Sequence, residues 1–527
     1  MTSPAVLDRT AHEASGPAGA RSRGRGVALV PAVVMLAVGF WGLDRGSMWR
    51  DEEATFEVSQ RTVPQILAMV RHLDAVHAVY YLVMHGWMRL GGGEVWMRVP
   101  SVLGMGAAAG LVALLGARLA RPRVGLFAGL MFAAVPLVTY YAQEGRSYAL
   151  VCAVVLLASY CLVRAVETGG RWWWWGYTAS VAFAALLHEF AVLALVAHAG
   201  TLLLSRVEWR VWRRWLVGAA VCGVVLAPLA VVSQRQSEQI GWLERPDWGT
   251  VGELVRLFAG PSAVVMGIFG VLVALGLAAA PWRARGRLHL AAVAAPLAVL
   301  PPAVLLLASQ QQPMYHERYV LFALPGVPLL AAAGLDRIGA AIGAAAARVR
   351  WLRPASWALG PWALGPWVLG PWVLGAAVLL GAVLPQLPQQ RELRTVQARP
   401  DDLAAVARLV RDRARPGDGV LFLPSKYRAV ALGYPEAFRG LDDVALERTP
   451  VRAANLRGAE RSKRGTRNAM LAADRLWVIG RTDLRVRSGE GGALNKEQVL
   501  REFFRAAGTV RVHGLEVRLY ERKPEGS

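Results

Sequence analysis

Residues 76–90 read "VHAVYYLVMHGWMRL", and the topology of the chain turns on whether they cross a membrane. Apolar runs of about 20 residues, the length that crosses a hydrocarbon core, recur along the sequence. The other candidates are 27–43, 99–119, 124–140, 148–165, 174–187, 190–204, 215–232, 262–280, 288–308, 319–335 and 357–384. Basic segments between them assign sides, because arginine-rich short loops stay on the cytoplasmic face. They are "RSRGR" at 21–25, "RPR" at 121–123, "RVEWRVWRR" at 206–214, "RARGR" at 283–287 and "RVRWLR" at 348–353. With the N-terminus inside and every candidate spanning, "RPR" and most later basic loops fall outside. Removing one early candidate puts all five inside. Residues 76–90 are the weakest, being short and carrying His77, His85 and Arg89. They read as an amphipathic helix lying along the interface.

The expected architecture is thus a polytopic α-helical membrane protein with about eleven spanning helices. Residues 1–26 form a cytoplasmic basic tail. Its "ARSRGRG" precedes an apolar run without a small-residue cleavage site, so an uncleaved first helix is expected. Residues 27–384 form the membrane module, with a long first external loop at 44–98. After about residue 385 helical and strand patterns alternate, as in "PDDLAAVARLVRDRARPGDGVLFLP", "DRLWVIG" and "TVRVHGLEVRLYER". Residues 385–527 are expected to be an extracytoplasmic α/β domain. Residues 356–375, "SWALGPWALGPWVLGPWVLG", repeat every five residues. Their tryptophans form no single helical stripe, so a repeat expansion in a tolerant last helix is the expected reading.

Composition agrees with a membrane location. The 527 residues are 55% hydrophobic and 18% charged. The net charge of +22 sits largely in arginine loops, which set topology and meet anionic headgroups, and nucleic acid is not an expected partner. Cys152, Cys161 and Cys222 all lie in apolar runs and support no disulfide framework.

This topology gathers the polar clusters on one face. The first loop supplies Asp51 and Glu52 from "WRDEEATF", and Asp74, His77, Tyr80 and Tyr81 from "LDAVHAVYY". The next external loop, "YYAQEGRSYAL", supplies Gln143, Glu144, Arg146 and Tyr148. His188 and Glu189 interrupt the hairpin 174–204, and "QQQPMYHERYV" adds His316, Glu317 and Arg318. Any one of these is commonly a solvated or snorkelling helix end. Together, ionisable groups at membrane depth are functional candidates. Carboxylates supply a general base or a cation site, arginines hold phosphate, and aromatic rings receive a headgroup or sugar. The combination points to a substrate carried on a lipid phosphate. Asp51 and Glu52 are the catalytic candidates. Arg146 and Arg318, then Arg98, His77 and His316, are candidates for the phosphate. Asp74, Tyr81, Gln143, Glu144, His188 and Glu317 complete the candidate donor site. The residues leave open a divalent cation held by Asp51, Glu52 and Glu144.

The ordered set of Asp51–Glu52, Asp-x-x-His-x-x-Tyr-Tyr at 74–81, "RVPSVLG" at 98–104, "AQEGRSYAL" at 142–150 and "ERYVLFALP" at 317–325 resembles a known family. It is similar to the bacterial dolichyl-phosphate-mannose–protein mannosyltransferase and aminoarabinose-transferase-like group of the GT-C glycosyltransferase superfamily, over residues 27–335. The resemblance implies a polyprenyl-phosphate-linked sugar as donor, an extracytoplasmic active site and inversion at the anomeric carbon. It also implies that Asp51 acts as base or positions the acceptor. The segment after Asp74 reads "HAV" where the eukaryotic mannosyltransferases have His-Pro-Pro. Mannose is the favoured sugar. The acceptor, whether protein, lipid or polysaccharide, stays open. The competing class is a transporter or lipid flippase with an outward-facing charged site.

Overall fold

The computed structural model describes residues 17–260, 262–278, 280–348, 373–378, 380–381, 384–481 and 491–524. Most of the Trp-Ala-Leu-Gly-Pro repeat and of the expected last span lies outside the described residues.

A helix stands at every other expected apolar run. They are α1 (Pro17–Phe40), α5 (Gly93–Leu119), α6 (Pro122–Ala134), α7 (Pro136–Ala142), α8 (Tyr148–Thr168), α9 (Arg171–Leu187), α10 (Ala194–Leu204), α11 (Trp209–Arg235), α13 (Ala263–Ala278), α14 (Leu290–Ala308) and α15 (Gly326–Arg348). Between them lie α2 (Arg50–Ser59), α3 (Val63–Val70), α4 (Ala78–Met88) and α12 (Trp248–Ala259). Among the described residues, five helices are long and apolar enough to cross a membrane: α5, α8, α11, α14 and the run Glu317–Ile342. Two bent pairs, α6 with α7 at 69° and α12 with α13 at 78°, raise the number to as many as seven. The apolar parts Gly26–Phe40 and Glu189–Leu204 are shorter. Length and composition therefore account for five to seven spans where about eleven were expected. Part of the difference is length, since α9 stops at His188 after 17 residues, and the expected last span lies largely outside the described residues.

Small residues let the helices approach. A Cβ on Gly125 would sit 2.1 Å from the Ala113 carbonyl of α5. One on Gly334 of α15 would sit 1.9 Å from the Leu272 carbonyl of α13. Such contact is how helices gain dispersion energy where lipid is as apolar as they are. Polar groups in the bundle are joined in series. Trp215 donates to the Tyr177 hydroxyl at 2.8 Å, and that hydroxyl donates to His198 Nδ1 at 3.1 Å. His198 Nε2–H meets Ser159 Oγ at 3.0 Å, and Ser159 donates to the Val155 carbonyl at 2.9 Å. The chain of donors fixes His198 as the neutral Nε2–H tautomer and links α8, α9, α10 and α11.

The run that opened the sequence reading is a 3-10 turn, Ala75–His77, followed by the 11-residue α4. At 1.5 Å per residue α4 is about 16 Å long, too short to span. It buries Tyr80, Tyr81 and Met84 and packs on α2, α3 and α9.

The arginine loops 121–123, 206–214 and 283–287 lie at the helix ends away from these short helices. Gly286 N–H donates to the Ser205 carbonyl at 2.9 Å, and Arg214 donates to the Gly169 carbonyl at 2.9 Å. Arg123 pairs with Asp336 and Arg118 with Glu167 there.

The C-terminal region carries a five-stranded sheet in the order β2-β1-β5-β7-β6. β1 (Gly419–Leu423) runs parallel to β2 (Asp442–Asp443) and β5 (Arg475–Gly480). β7 (Leu515–Arg522) is antiparallel to β5 and to β6 (Phe504–Val512). All five β1 residues are buried, as a continuous apolar strand inside a parallel layer must be. A separate pair, β3 (Leu446–Arg448) and β4 (Ala459–Glu460), is antiparallel.

Candidate active site

The site is organised by the first turn of α2. Asp51, Glu52 and Glu53 follow one another there, where the positive end of the helix dipole favours carboxylates. Successive residues turn about 100° around a helix, so the three side chains leave in three directions. Asp51 faces a cavity, where its Oδ2 lies 3.2 Å from the Arg318 guanidinium. Glu52 points into the bundle, wholly buried, and Arg98 grips both its oxygens at 2.8 Å. The Gly145 N–H also donates to Glu52 at 2.9 Å. Burial opposes the charge of Glu52, but Arg98, Arg399 and the Gly145 amide outweigh it and hold the carboxyl below its usual range. Glu53 points to the C-terminal domain and pairs with Arg457 at 2.8 Å. Its burial prevails over that pair, and the carboxyl is pushed up to about 7.

The cavity has a volume of about 1280 Å³. Asp51, Asp74, His77, Glu144, Arg146, His188, His316, Glu317 and Arg318 all line it. Four other expected residues stand behind that wall. Glu52 and Arg98 saturate each other. Tyr81 hydrogen-bonds Asp74 with its hydroxyl. Gln143 donates to the Gly39 and Trp41 carbonyls, each at 2.9 Å, fixing the end of α1.

Arg146 is held from two sides. One nitrogen donates to His77 Nε2 at 2.8 Å, another to the Asp51 carbonyl at 3.3 Å. Because guanidinium is only a donor, His77 Nε2 is an acceptor, and its proton sits on Nδ1, 2.7 Å from Asp74. Burial and Arg146 keep His77 neutral, against the pull of Asp74. The Asp74 carboxylate takes hydrogen bonds from His77 and Tyr81 and stays charged, below the usual carboxylate range despite its burial. Asp74 thereby orients His77, and His77 orients Arg146. Arg146 and Arg318 each keep a buried Nε without a hydrogen-bond partner among the described residues. Arg318 also lies against the rings of Tyr148 and Tyr319, 5.6 and 5.5 Å from their centres. That stacking fixes the plane of its fork.

The wall has two characters. Phe190, Val192, Leu226, Ala230, Leu257 and Met314 are among its apolar lining residues, from the turn after His188, α11, α12 and the segment before Glu317. Lys426, Arg457, Pro400 and Gln389 line it from the C-terminal part of the chain. These C-terminal residues form no motif, and only the general basicity of the domain hinted at them. The domain is fixed by further contacts: Arg50 with Asp401 at 2.6 Å, and Arg399 with the Gln143 carbonyl at 2.7 Å and over the Tyr140 ring.

Of the three carboxylates considered for a cation, two are already engaged and only Glu144 is without a partner among the described residues. Asp51 is taken by Arg318, and Glu52 by Arg98 and Gly145. Among the described residues no group of three or more His, Cys, Asp or Glu side chains is placed to hold a metal.

Residues 78–232 match the family model for dolichyl-phosphate-mannose-protein mannosyltransferase. The chain is also similar in structure to ArnT from Cupriavidus metallidurans. For the apo crystal structure the identity is 16%, the TM-score 0.60, and 94% of this chain and 98% of that chain are covered. For the form bound to undecaprenyl phosphate the identity is 17% and the TM-score 0.57, with the same coverage. No curated protein sequence matches the chain. These likenesses bear out the recognition made from the residues: the chain has the fold of a GT-C glycosyltransferase.

Proposed function

We propose that the protein is an integral-membrane glycosyltransferase. It moves a sugar, with mannose favoured, from a polyprenyl-phosphate donor to the hydroxyl of an extracytoplasmic acceptor, with inversion. The observation that carries this reading is the Asp51–Arg318 pair, a carboxylate and a cation 3.2 Å apart in a cavity lined by both apolar and charged side chains. The apolar lining residues suit a prenyl chain entering from the bilayer, and ArnT, of the same fold, has been crystallised with undecaprenyl phosphate.

In the proposed reaction Asp51 accepts the proton of the acceptor hydroxyl. The hydroxyl oxygen bonds to the anomeric carbon as the bond from that carbon to the phosphate oxygen breaks. The polyprenyl phosphate leaves on the opposite face with the electron pair. A carboxylate is a weak base, so the proton moves late, when the sugar–phosphate bond is largely broken. Stabilising the departing phosphate then carries much of the rate, and Arg146 and Arg318 supply the donors. The fixed His77–Asp74 relay keeps Arg146 aimed before substrate arrives, so little reorganisation is needed.

A screen of labelled polyprenyl-phosphate sugars, with membranes containing or lacking the protein, tests the reading. Transfer or release of sugar that depends on the protein is expected. Uptake of the intact lipid-linked sugar into liposomes, without cleavage, would instead support a transporter.

A further inference from the structure

Glu144 sits in the turn between α7 and α8 and lines the cavity. It is 1% exposed, and neither carboxyl oxygen has a hydrogen-bond partner among the described residues. Its backbone is pinned, its carbonyl accepting from Ser101 Oγ at 2.6 Å and from the Arg146 N–H at 2.8 Å. A buried carboxyl left without partners is costly, and such a group facing a cavity is accounted for by a ligand that completes it.

The charged groups that act on it come from four elements. Arg146 shares its turn, Arg318 comes from the run Glu317–Ala323, Arg399 from the C-terminal domain and Glu52 from α2. The hydroxyls of Tyr80, Tyr140, Tyr141 and Tyr148 surround it at longer range. Burial is the largest influence and pushes the carboxyl up to about 7, against the three arginines. Near neutrality the group is therefore divided between a neutral acid and a carboxylate.

We propose, building on the functional reading above, that Glu144 is a phosphate-binding residue of the donor site: in its neutral form it donates a hydrogen bond to a phosphate oxygen held between Arg146 and Arg318. The ionised form would repel that phosphate, and the neutral form offers it an O–H. A negative phosphate at this place in turn favours the neutral acid, so donor binding and retention of the proton support each other. As the bond to the sugar breaks, charge grows on the phosphate and the O–H···O⁻ contact strengthens.

The sign follows from that linkage. Affinity is full where Glu144 is neutral and falls as pH rises through about 7. The test is equilibrium binding of undecaprenyl phosphate to the full-length protein between pH 6 and 8.5, for wild type, Glu144→Gln and Glu144→Ala. Undecaprenyl phosphate has its own titration near pH 6, common to all three proteins. Glutamine keeps a donor and cannot ionise. At pH 6 wild type and Glu144→Gln are expected to bind alike, with Glu144→Ala weaker by about 5-fold or more, the loss of roughly one hydrogen bond. Above pH 7 wild type should lose affinity relative to Glu144→Gln, by up to about 10-fold per pH unit. Parallel pH profiles for wild type and Glu144→Gln would overturn the assignment, as would Glu144→Ala binding as tightly as wild type at pH 6. If wild type bound no undecaprenyl phosphate at any pH, the functional reading itself would fall, and this inference with it.

Discussion

Three adjacent carboxylates in α2 do three different things because a helix turns them apart. Asp51 is left facing the cavity, while Glu52 is locked to Arg98. Removing one partner of a buried ion pair strands the other charge, at about 3–5 kcal/mol. Glu52→Gln and Arg98→Leu should therefore each lower the thermal unfolding temperature of the purified protein markedly. Asp51→Asn should leave it nearly unchanged, since the Asp51 side chain is about one-third exposed. An unfolding temperature for Glu52→Gln equal to wild type would count against its buried structural role. The sequence made Asp51 and Glu52 visible as ionisable neighbours at a helix end. It did not tell which of them faces inward, because that depends on Arg98, which lies 46 positions away in the chain. Tyr81 and Gln143 were legible as polar residues near the site for the same reason. Their support of Asp74 and of α1 needed the tertiary contacts.

At the scale of elements, the C-terminal domain closes one side of the cavity through contacts with the first-loop helix α2. The Glu53–Arg457 pair is central to that seam. A carboxyl whose folded-state value is raised favours the docked state while it is neutral. That contribution is complete below its ordinary range and is lost as pH rises through about 7. Arg457→Ala removes the cation that offsets the burial of Glu53. The variant should be cleaved faster between the membrane module and the C-terminal domain in limited proteolysis, and the defect should be greater at pH 8 than at pH 6. Equal cleavage of variant and wild type at pH 8 would contradict this use of the pair. The strands of the C-terminal sheet were legible after residue 385, because the buried strands "VLFL" and "LWVIG" are continuous apolar runs. Where that domain docks was not legible. The contacts are single arginines and carboxylates 351 and 404 positions apart in the chain, with no local pattern. The number of spans is less legible, because apolar composition does not register a bend such as that at Pro136.

For the whole molecule, the arginine loops 121–123, 206–214 and 283–287 lie at one end of the helices and the cavity-lining turns at the other. If the basic end is cytoplasmic, the cavity and the C-terminal domain are extracytoplasmic. The three native cysteines are buried, so introduced ones report cleanly. In intact cells a membrane-impermeant maleimide should label Glu238→Cys and should label Arg285→Cys only after permeabilisation. The reverse pattern would invert the topology. The ordered motifs between residues 51 and 325 made the GT-C resemblance readable, because such sites are built from loops at successive helix ends. They single out no sugar or acceptor, since carboxylates, arginines and aromatic rings serve many sugars alike.

The most direct measurement is sugar release from a labelled polyprenyl-phosphate sugar by purified wild-type and Asp51→Asn protein, with acceptor-containing envelope extract present. A general base contributes about 10²–10⁴-fold, so the variant should lose at least about 100-fold in rate while binding undecaprenyl phosphate as wild type does. Full turnover by folded Asp51→Asn protein would contradict Asp51 as the base.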